Sequence, residues 1–213
     1  MGVVKISMRG FAEVAAADPS RKSSKLKKFR YPDSEESIGR SNYYVKAVSA
    51  IKRHHRGQSD FVKTILRNLI TEAETETDMR RRAKLLNNHR AITDYLKTFG
   101  NRELVIKPGK HLYYLYKDLV VSAHPDLVAQ ENGQTVLIKL NFCKDNFSGG
   151  VCAQMLHLLY EAAQLKGLPV GPIDVECLQT SSGSRITGPK KGFPSRQVLN
   201  VACQELLALW PAA

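Results

Sequence analysis

Two charged side chains lie in the most strand-like part of the sequence, AHPDLVAQENGQTVLIKLNF at residues 123–142. Asp126 follows a proline, and Lys139 lies inside the apolar run VLIKLNF. An ammonium group in an apolar strand is costly unless it is paired, and a carboxylate is an oxygen ligand for hard cations. The Glu-Asn-Gly turn between the two residues predicts a hairpin. We therefore expect Asp126 and Lys139 to meet, from neighbouring strands, in one electropositive cleft.

Each candidate also has a purely structural interpretation. Asp126 could be a turn residue that bonds its own backbone. Lys139 could lie on an edge strand with one solvated face. His124 could act as a ligand or base, although histidines in loops are mostly solvated. A functional interpretation therefore depends on these strands packing as a known kind of core.

The elements that must position these residues follow residue 100. The segments RELVIKP, HLYYLYKDLVVSAHPDLVAQ and QTVLIKLNF are rich in Val, Leu and Tyr, which is typical of strands, and the three can pair as a meander. VCAQMLHLLYEAAQLKG predicts a helix closed by Gly167. A strand, a basic Gly/Pro-rich loop and a final amphipathic helix, capped by Ser195, complete the order. The helix between two strands is a crossover, which predicts a partly parallel sheet.

Residues 1–100 are predicted to be mostly helical and strongly basic. Apolar periodicity predicts helices over 38–55, 59–76 and 78–99, with Ser59 or Asp60 as the N-cap of the second. Pro32-Asp33 is typical of a helix N-terminus. The predicted fold is therefore α/β, of the α+β kind, with a mixed central sheet flanked by helices in 101–213. The basic helical region 1–100 precedes this core and packs with it as one unit.

Composition bounds the function. The chain has 213 residues, is 43% hydrophobic and carries a formal charge of +12, so a globular protein with a polyanionic partner is expected. A solubilising surface or an acidic protein partner is the alternative. No apolar stretch is long enough to span a membrane, and the first residues, MGVVKISMRGF, are too short and too polar for a secretory signal, which predicts the cytoplasm. The four cysteines lack a Cys-x-x-Cys pair and are expected to be reduced.

The order of elements, with Pro125-Asp126 in the hairpin and Lys139 on the next strand, resembles the core of the PD-(D/E)XK nuclease superfamily, nearest its RecB-like branch. In that restriction-endonuclease-like core an aspartate ends one strand and an acid-x-Lys follows on the next. The resemblance covers about residues 85–180. It implies a fold in which Asp126 and Lys139 share one site.

The helix that follows extends the resemblance. Gln154 and Tyr160 in CAQMLHLLYEAA look like the helix element of that branch, with a looser spacing, and His89 is a weaker candidate for its histidine. On the residues alone, Gln154 could equally be scaffold, and His157 and Tyr160 are expected to pack in the core.

The resemblance implies metal-dependent phosphodiester chemistry. In it, Asp126 holds Mg²⁺ or Mn²⁺, Lys139 positions the attacking water, and Gln154 orients the substrate. DNA is favoured over RNA as the substrate, and other subunits of a protein–nucleic-acid complex are possible partners.

One residue departs from the pattern: Leu137 stands where the acid of acid-x-Lys is expected. The missing carboxylate could have migrated, with Glu161 the best candidate for a second metal ligand and Glu103 a poorer one. Alternatively, the fold has lost catalysis and kept nucleic-acid binding, or the motif belongs to another family. The chain is thus predicted to bind nucleic acid, either as a metal-dependent hydrolase or as an inactive, nuclease-like subunit.

Two basic segments are candidates for phosphate contacts. The first is the loop after the last core strand, because strand-end loops often contact ligands. Its basic residues are Arg185, Lys190, Lys191 and Arg196. The second is RKSSKLKKFR, residues 21–30, which could grip a phosphate backbone or be a solvated tail. Its candidate residues are Lys25, Lys27, Lys28 and Arg30.

Overall fold

The computed structural model describes residues 2–30 and 43–212. Within these residues the chain has a mixed α+β fold, as the sequence predicts. The strands are β1 (Val4–Ser7), β2 (Val105–Ile106), β3 (Tyr113–Tyr116), β4 (Leu119–Ser122), β5 (Leu127–Glu131), β6 (Gln134–Asn141), β7 (Val175–Gln179) and β8 (Ser184–Thr187).

The described part of the chain also forms seven helices. They are α1 (Met8–Ala15), α2 (Pro19–Arg30), α3 (Val45–His54), α4 (Ser59–Thr75), α5 (Met79–Phe99), α6 (Gly149–Leu165) and α7 (Arg196–Leu209). The helices predicted over 59–76 and 78–99 are confirmed. The helix predicted over 38–55 is present from Val45, while its first residues and the Pro32-Asp33 signal lie outside the described residues. Each helix in 2–30 and 43–212 is too short or too polar to cross a lipid bilayer.

The central sheet has five strands in the order β2-β5-β6-β7-β8. β6 and β7 run parallel, as the crossover through α6 predicts, and the other neighbours are antiparallel. β8 was predicted as part of a loop. Its four residues are mostly exposed and lie in a Gly/Pro-rich stretch, so they carry no clear apolar signal.

The predicted meander is confirmed for β2, β5 and β6, which pair antiparallel in chain order, but it does not include the first part of the middle segment. β3 and β4 leave the central sheet and form a second, three-stranded sheet with β1, in the order β1-β4-β3. β1 and β4 are parallel, with Val4 opposite Leu119. Val4 and Ile6 are buried while Lys5 and Ser7 are exposed, so β1 covers the core with one face. The N-terminal residues are therefore an integral part of the packed structure.

The hairpin between β5 and β6 sets the register of the candidate residues. Asn132 and Gly133 both have positive φ, 50° and 82°, as the predicted Asn-Gly turn requires. This turn places Leu127 opposite Ile138, so that Asp126 comes next to Lys139.

Two apolar cores lie on opposite faces of the central sheet. On one face, Leu137, Cys177 and their neighbours pack against α1, α6, α7 and the small sheet. On the other, Ile138, Leu140 and their neighbours pack against α3, α4 and α5. All four cysteines are free thiols, as expected, and three of them are buried.

The basic stretch at residues 21–30 is a docked helix rather than a tail. Leu26 in α2 is fully buried, and Phe29 packs against the first core.

Of the two predicted N-caps, the one on α4 is wrong and the one on α7 is confirmed in position only, whereas α5 has a cap that the sequence analysis does not predict. Asp78 caps α5 by accepting from the Arg80 and Arg81 backbone N–H groups. The predicted cap of α4 at Ser59 or Asp60 is wrong, because the helix is preceded by Gln58, whose side chain makes no capping bond. Ser195 does precede α7, but without a side-chain capping bond.

Candidate functional site

Asp126 and Lys139 meet at the end of the β5–β6 hairpin. Lys139 Nζ donates to Asp126 Oδ1 at 3.0 Å, and the Leu140 backbone N–H donates to Asp126 Oδ2 at 2.7 Å. The side chains of Lys139 and Asp126 are 24% and 22% exposed. Residues two apart on a strand share a face, so the pair lies on the side of the sheet that Leu137 and α6 occupy. The expected meeting of carboxylate and ammonium is confirmed.

A layer of rings borders this pair. Lys139 Nζ lies 3.5 Å from the His124 carbonyl oxygen, and the His124 ring packs edge-on against His111 and Tyr113, at centroid distances of 5.0 and 4.8 Å. His124 Nδ1 accepts from the Leu112 backbone N–H at 3.0 Å, so its proton lies on Nε2. Burial, His111 and Lys139 lower the pKa of His124, which favours a neutral ring at neutral pH.

A second lysine senses the charge of Asp126. Lys52, half-buried at the end of α3, has its pKa lowered by burial, and the negative charge of Asp126 opposes this effect. Asp126 thus lies within the electrostatic range of two lysines. Neither Lys52 nor His111 was predicted, because they come from elements whose packing the sequence does not reveal.

Position 137, where the resemblance implies a second acid, has an apolar environment. Leu137 is fully buried in the first core and lies opposite Val128 on β5 and Val175 on β7. An unpaired carboxylate at this position would be costly, so the site as folded accommodates leucine and not an acid.

Glu161, the proposed second ligand, is engaged elsewhere. Its Oε2 accepts from Arg196 Nε at 2.6 Å, and its Oε1 lies 3.9 Å from His157 Nε2. No contact joins Glu161 to Asp126 in the described structure. Glu103, the poorer candidate, is exposed and lines a groove with Arg102 and His54.

The donor set does not fit the metal site that the resemblance implies. Asp126 is a single carboxylate, and both of its oxygens accept hydrogen bonds. Within residues 2–30 and 43–212, no group of three or more His, Cys, Asp or Glu side chains is arranged to hold a metal ion. A site for Mg²⁺ or Mn²⁺ needs more oxygen ligands than this cleft brings together.

The candidate residues on α6 are all at least partly buried. Gln154 is half-buried, and its Oε1 is buried without a hydrogen-bond partner among the described residues. His157 is buried and stacks on Phe193 at 5.1 Å, and Tyr160 packs against the same ring. His157 thus lies in the core, as expected, whereas Tyr160 is only partly buried. His89 on α5 is half-buried.

The two arginines of the predicted phosphate-binding loop contact carboxylates. Arg185 Nε donates to Glu176 Oε2, and Arg196 pairs with Glu161. Lys190 and Lys191 are exposed and stay candidates for phosphate contacts.

The basic side chains of α2 are arranged around its buried Leu26. Lys27 and Lys28 are exposed, Lys25 is half-buried, and Arg30 is the last residue of the helix. This helix therefore presents positive charge on the surface next to the first core.

The chain matches no protein-family model, no curated protein and no solved structure. The PD-(D/E)XK resemblance therefore rests on the Asp126–Lys139 motif and on the order of the elements. Inferences about chemistry rest on the geometry of the cleft and on the charges around it.

Proposed function

We propose that this protein binds nucleic acid through a PD-(D/E)XK-type domain, and that its Asp126–Lys139 cleft contacts the phosphate backbone without cleaving it. One observation carries the proposal. The motif pair is held at 3.0 Å at a partly exposed position, while Leu137 is packed into the core at the position of the second acid. The antiparallel β5–β6 hairpin, the α6 crossover and the parallel β7 support the proposal, although Asp126 precedes β5 and does not end a strand.

The surroundings of the cleft favour a polyanion. Lys139 and Lys52 contribute two positive charges, and Asp126 contributes one negative charge. Lys107 and Lys110 are exposed on the connection between β2 and β3, and the Lys107 backbone N–H donates to the Val128 carbonyl, which keeps this connection beside β5. Phosphate groups bound here would release condensed counterions, which supplies most of the affinity of such proteins.

The same geometry argues against hydrolysis. A metal-bound water needs a cation held by several oxygen ligands. With Leu137 enclosed and Glu161 paired with Arg196, Asp126 is the one motif carboxylate in the cleft. Neither Mg²⁺ nor Mn²⁺ is part of the proposed function.

The proposed ligand is DNA rather than RNA, because the resemblance to the PD-(D/E)XK core favours DNA. Such a non-cleaving domain would act as the DNA-contacting subunit of a larger complex. The second candidate function is a metal-dependent phosphodiesterase, which the retained Asp126–Lys139 contact favours.

Binding is tested by fluorescence anisotropy with a labelled DNA duplex over a series of salt concentrations. Affinity should fall as salt rises, and Lys139→Gln and Lys52→Gln should each weaken binding by about 3- to 10-fold because each removes one phosphate contact. Lys97→Gln, at an exposed position on α5, is the matched control and should bind as the parent protein does. Salt-independent binding, or equal affinity in Lys139→Gln, would contradict the proposal.

Catalysis is tested separately with supercoiled plasmid in Mg²⁺ and Mn²⁺. The parent protein should bind without nicking. Asp126→Asn should bind at least as tightly, because it removes the negative charge that opposes phosphate. Metal-dependent nicking that Asp126→Asn abolishes would instead establish the phosphodiesterase.

A further inference from the structure

A groove of about 760 Å³ lies on the outer face of the three-stranded sheet β1-β4-β3. Lys5, Val120 and Leu115 form one row across the sheet, and Ser7, Ser122 and Tyr113 form the next row. The C-terminal end of α6 closes one side with Leu165 and Lys166. The opposite face of the same sheet is part of the first core.

The lining of this groove includes three large apolar side chains that are exposed. Leu115 is 65% exposed, Leu165 is 51% exposed and Tyr113 is 40% exposed. Exposed apolar side chains that lie together on a surface mark a site of binding. The floor combines an aromatic ring, aliphatic side chains and the hydroxyl group of Ser122.

The charges of the groove restrict its occupant. Lys5 and Lys166 are exposed ammonium groups on its lining, and none of the described lining residues is acidic. A flat, partly aromatic floor with flanking ammonium groups suits unpaired nucleotides, whose bases stack on side chains while lysines contact the phosphates. The bases of a duplex are stacked on each other and cannot reach such a floor.

The groove neighbours the Asp126–Lys139 pair. Tyr113, on its lining, packs edge-on against His124 at 4.8 Å, and the His124 carbonyl oxygen lies 3.5 Å from Lys139 Nζ. One residue, His124, thus separates the groove from the pair.

We propose that this groove binds a single-stranded segment of the nucleic acid that the cleft engages. One or two unpaired bases stack on Tyr113 and Leu115, with their phosphates at Lys5 and Lys166. The inference rests on the proposed function and gives it a substrate class: DNA with an unpaired strand next to a duplex.

The test compares three labelled DNAs of one sequence by fluorescence anisotropy: a blunt duplex, a single strand, and a duplex with a single-stranded tail. The tailed duplex should bind more tightly than the blunt duplex. Leu115→Glu places a negative charge on the floor and should weaken binding of the single strand and of the tailed duplex by about 10-fold. Blunt-duplex affinity should not change.

Matched variants separate charge and stacking from structural damage. Leu115→Gln, similar in size to Leu115→Glu, should lose much less affinity, and Tyr113→Phe should retain the stacking that Tyr113→Ala removes. Circular dichroism should be unchanged for the Leu115 variants, because this side chain is largely exposed.

The outcomes distinguish the inference from the proposed function. Equal affinity for blunt and tailed duplexes, together with a loss in Lys139→Gln, would overturn the groove and leave the cleft standing. No binding of any of the DNAs would overturn both. A dimer seen by analytical ultracentrifugation without DNA, and dissociated by Leu115→Glu, would assign the groove to a second copy of the chain and overturn the inference.

Discussion

Leu137 and Lys139 are two residues apart and project from the same face of β6, yet their environments differ. Leu137 is fully buried, whereas the Lys139 side chain is 24% exposed. Asn141, two residues further along the same face, is buried again. The partly exposed position of Lys139 is therefore local and accompanies its pairing with Asp126.

The burial of Leu137 predicts the effect of restoring the acid. Leu137→Asp should lower the free energy of unfolding by about 4 kcal/mol, because it removes apolar packing and buries a carboxylate. Leu137→Met, which conserves volume, should cost less than about 1.5 kcal/mol. Urea unfolding measures both. A Leu137→Asp variant as stable as the parent would mean that this position can hold an acid, and would revive the metal site.

The meeting of Asp126 and Lys139 could be predicted because local signals fix it. Asn132-Gly133 sets the hairpin register, and the period of two then determines which side chains share a face. Lys52 and His111 could not be predicted in the same way. They join the cleft through packing between elements far apart in the chain, which no local spacing encodes.

At the scale of elements, a network of four charges joins strands that are not all neighbours. Arg102, just after α5, donates two hydrogen bonds to Glu131 at the end of β5 and one to Glu176 on β7. Arg185 on β8 donates to the other oxygen of Glu176, which is 1% exposed. The hydrogen bonds from Arg102 lower the pKa of Glu131. The network therefore ties both outer parts of the central sheet to the helical layer.

Removing Arg102 should have a large effect on stability. Arg102→Leu leaves the buried Glu176 carboxylate with less compensation and should cost about 3 kcal/mol of unfolding free energy. Arg102→Lys should cost less, because it retains the charge but not the bidentate geometry. Adding Glu176→Gln to Arg102→Leu should recover part of the loss. Thermal or urea unfolding that shows additive losses in the double variant would contradict this role.

The long helices and the β6–α6–β7 crossover could be predicted because their apolar patterns are strong. The division of the strands into two sheets could not. β3 and β4 have four residues each, and nothing local distinguishes a meander with β5 from a sheet completed by β1. Whether β3 and β4 pair with β5 or with β1 depends on which buried surface β1 covers.

At the scale of the whole molecule, the helical layer contains a histidine that resists protonation. His55 Nε2 is 2.8 Å from the Tyr95 hydroxyl. Burial, with the nearby His54 and Arg102, lowers the pKa of His55 to about 4 from its ordinary value of 6.5. In the unfolded chain His55 therefore binds a proton below pH 6.5, whereas in the folded protein it does so only below about pH 4.

This difference predicts that stability falls on mild acidification. The contribution of neutral His55 is fully present above pH 6.5 and is lost progressively as the pH falls towards 4. The melting temperature should be lower near about pH 5 than near about pH 7.5. His55→Gln, which can still bond Tyr95, should reduce that difference without removing it, because the pKa values of His124 and His157 are lowered too. An unchanged difference in His55→Gln would contradict this assignment.

The pairing of β1 with β4 affects the order in which the molecule can assemble during synthesis. Val4 cannot find Leu119 until the ribosome has released the chain beyond β4, and such distant pairings are slow to close. Until then, α1 and the basic α2 have no core to dock on. Until that point in synthesis, the lysines of α2 therefore lie on a segment that lacks its native anchor.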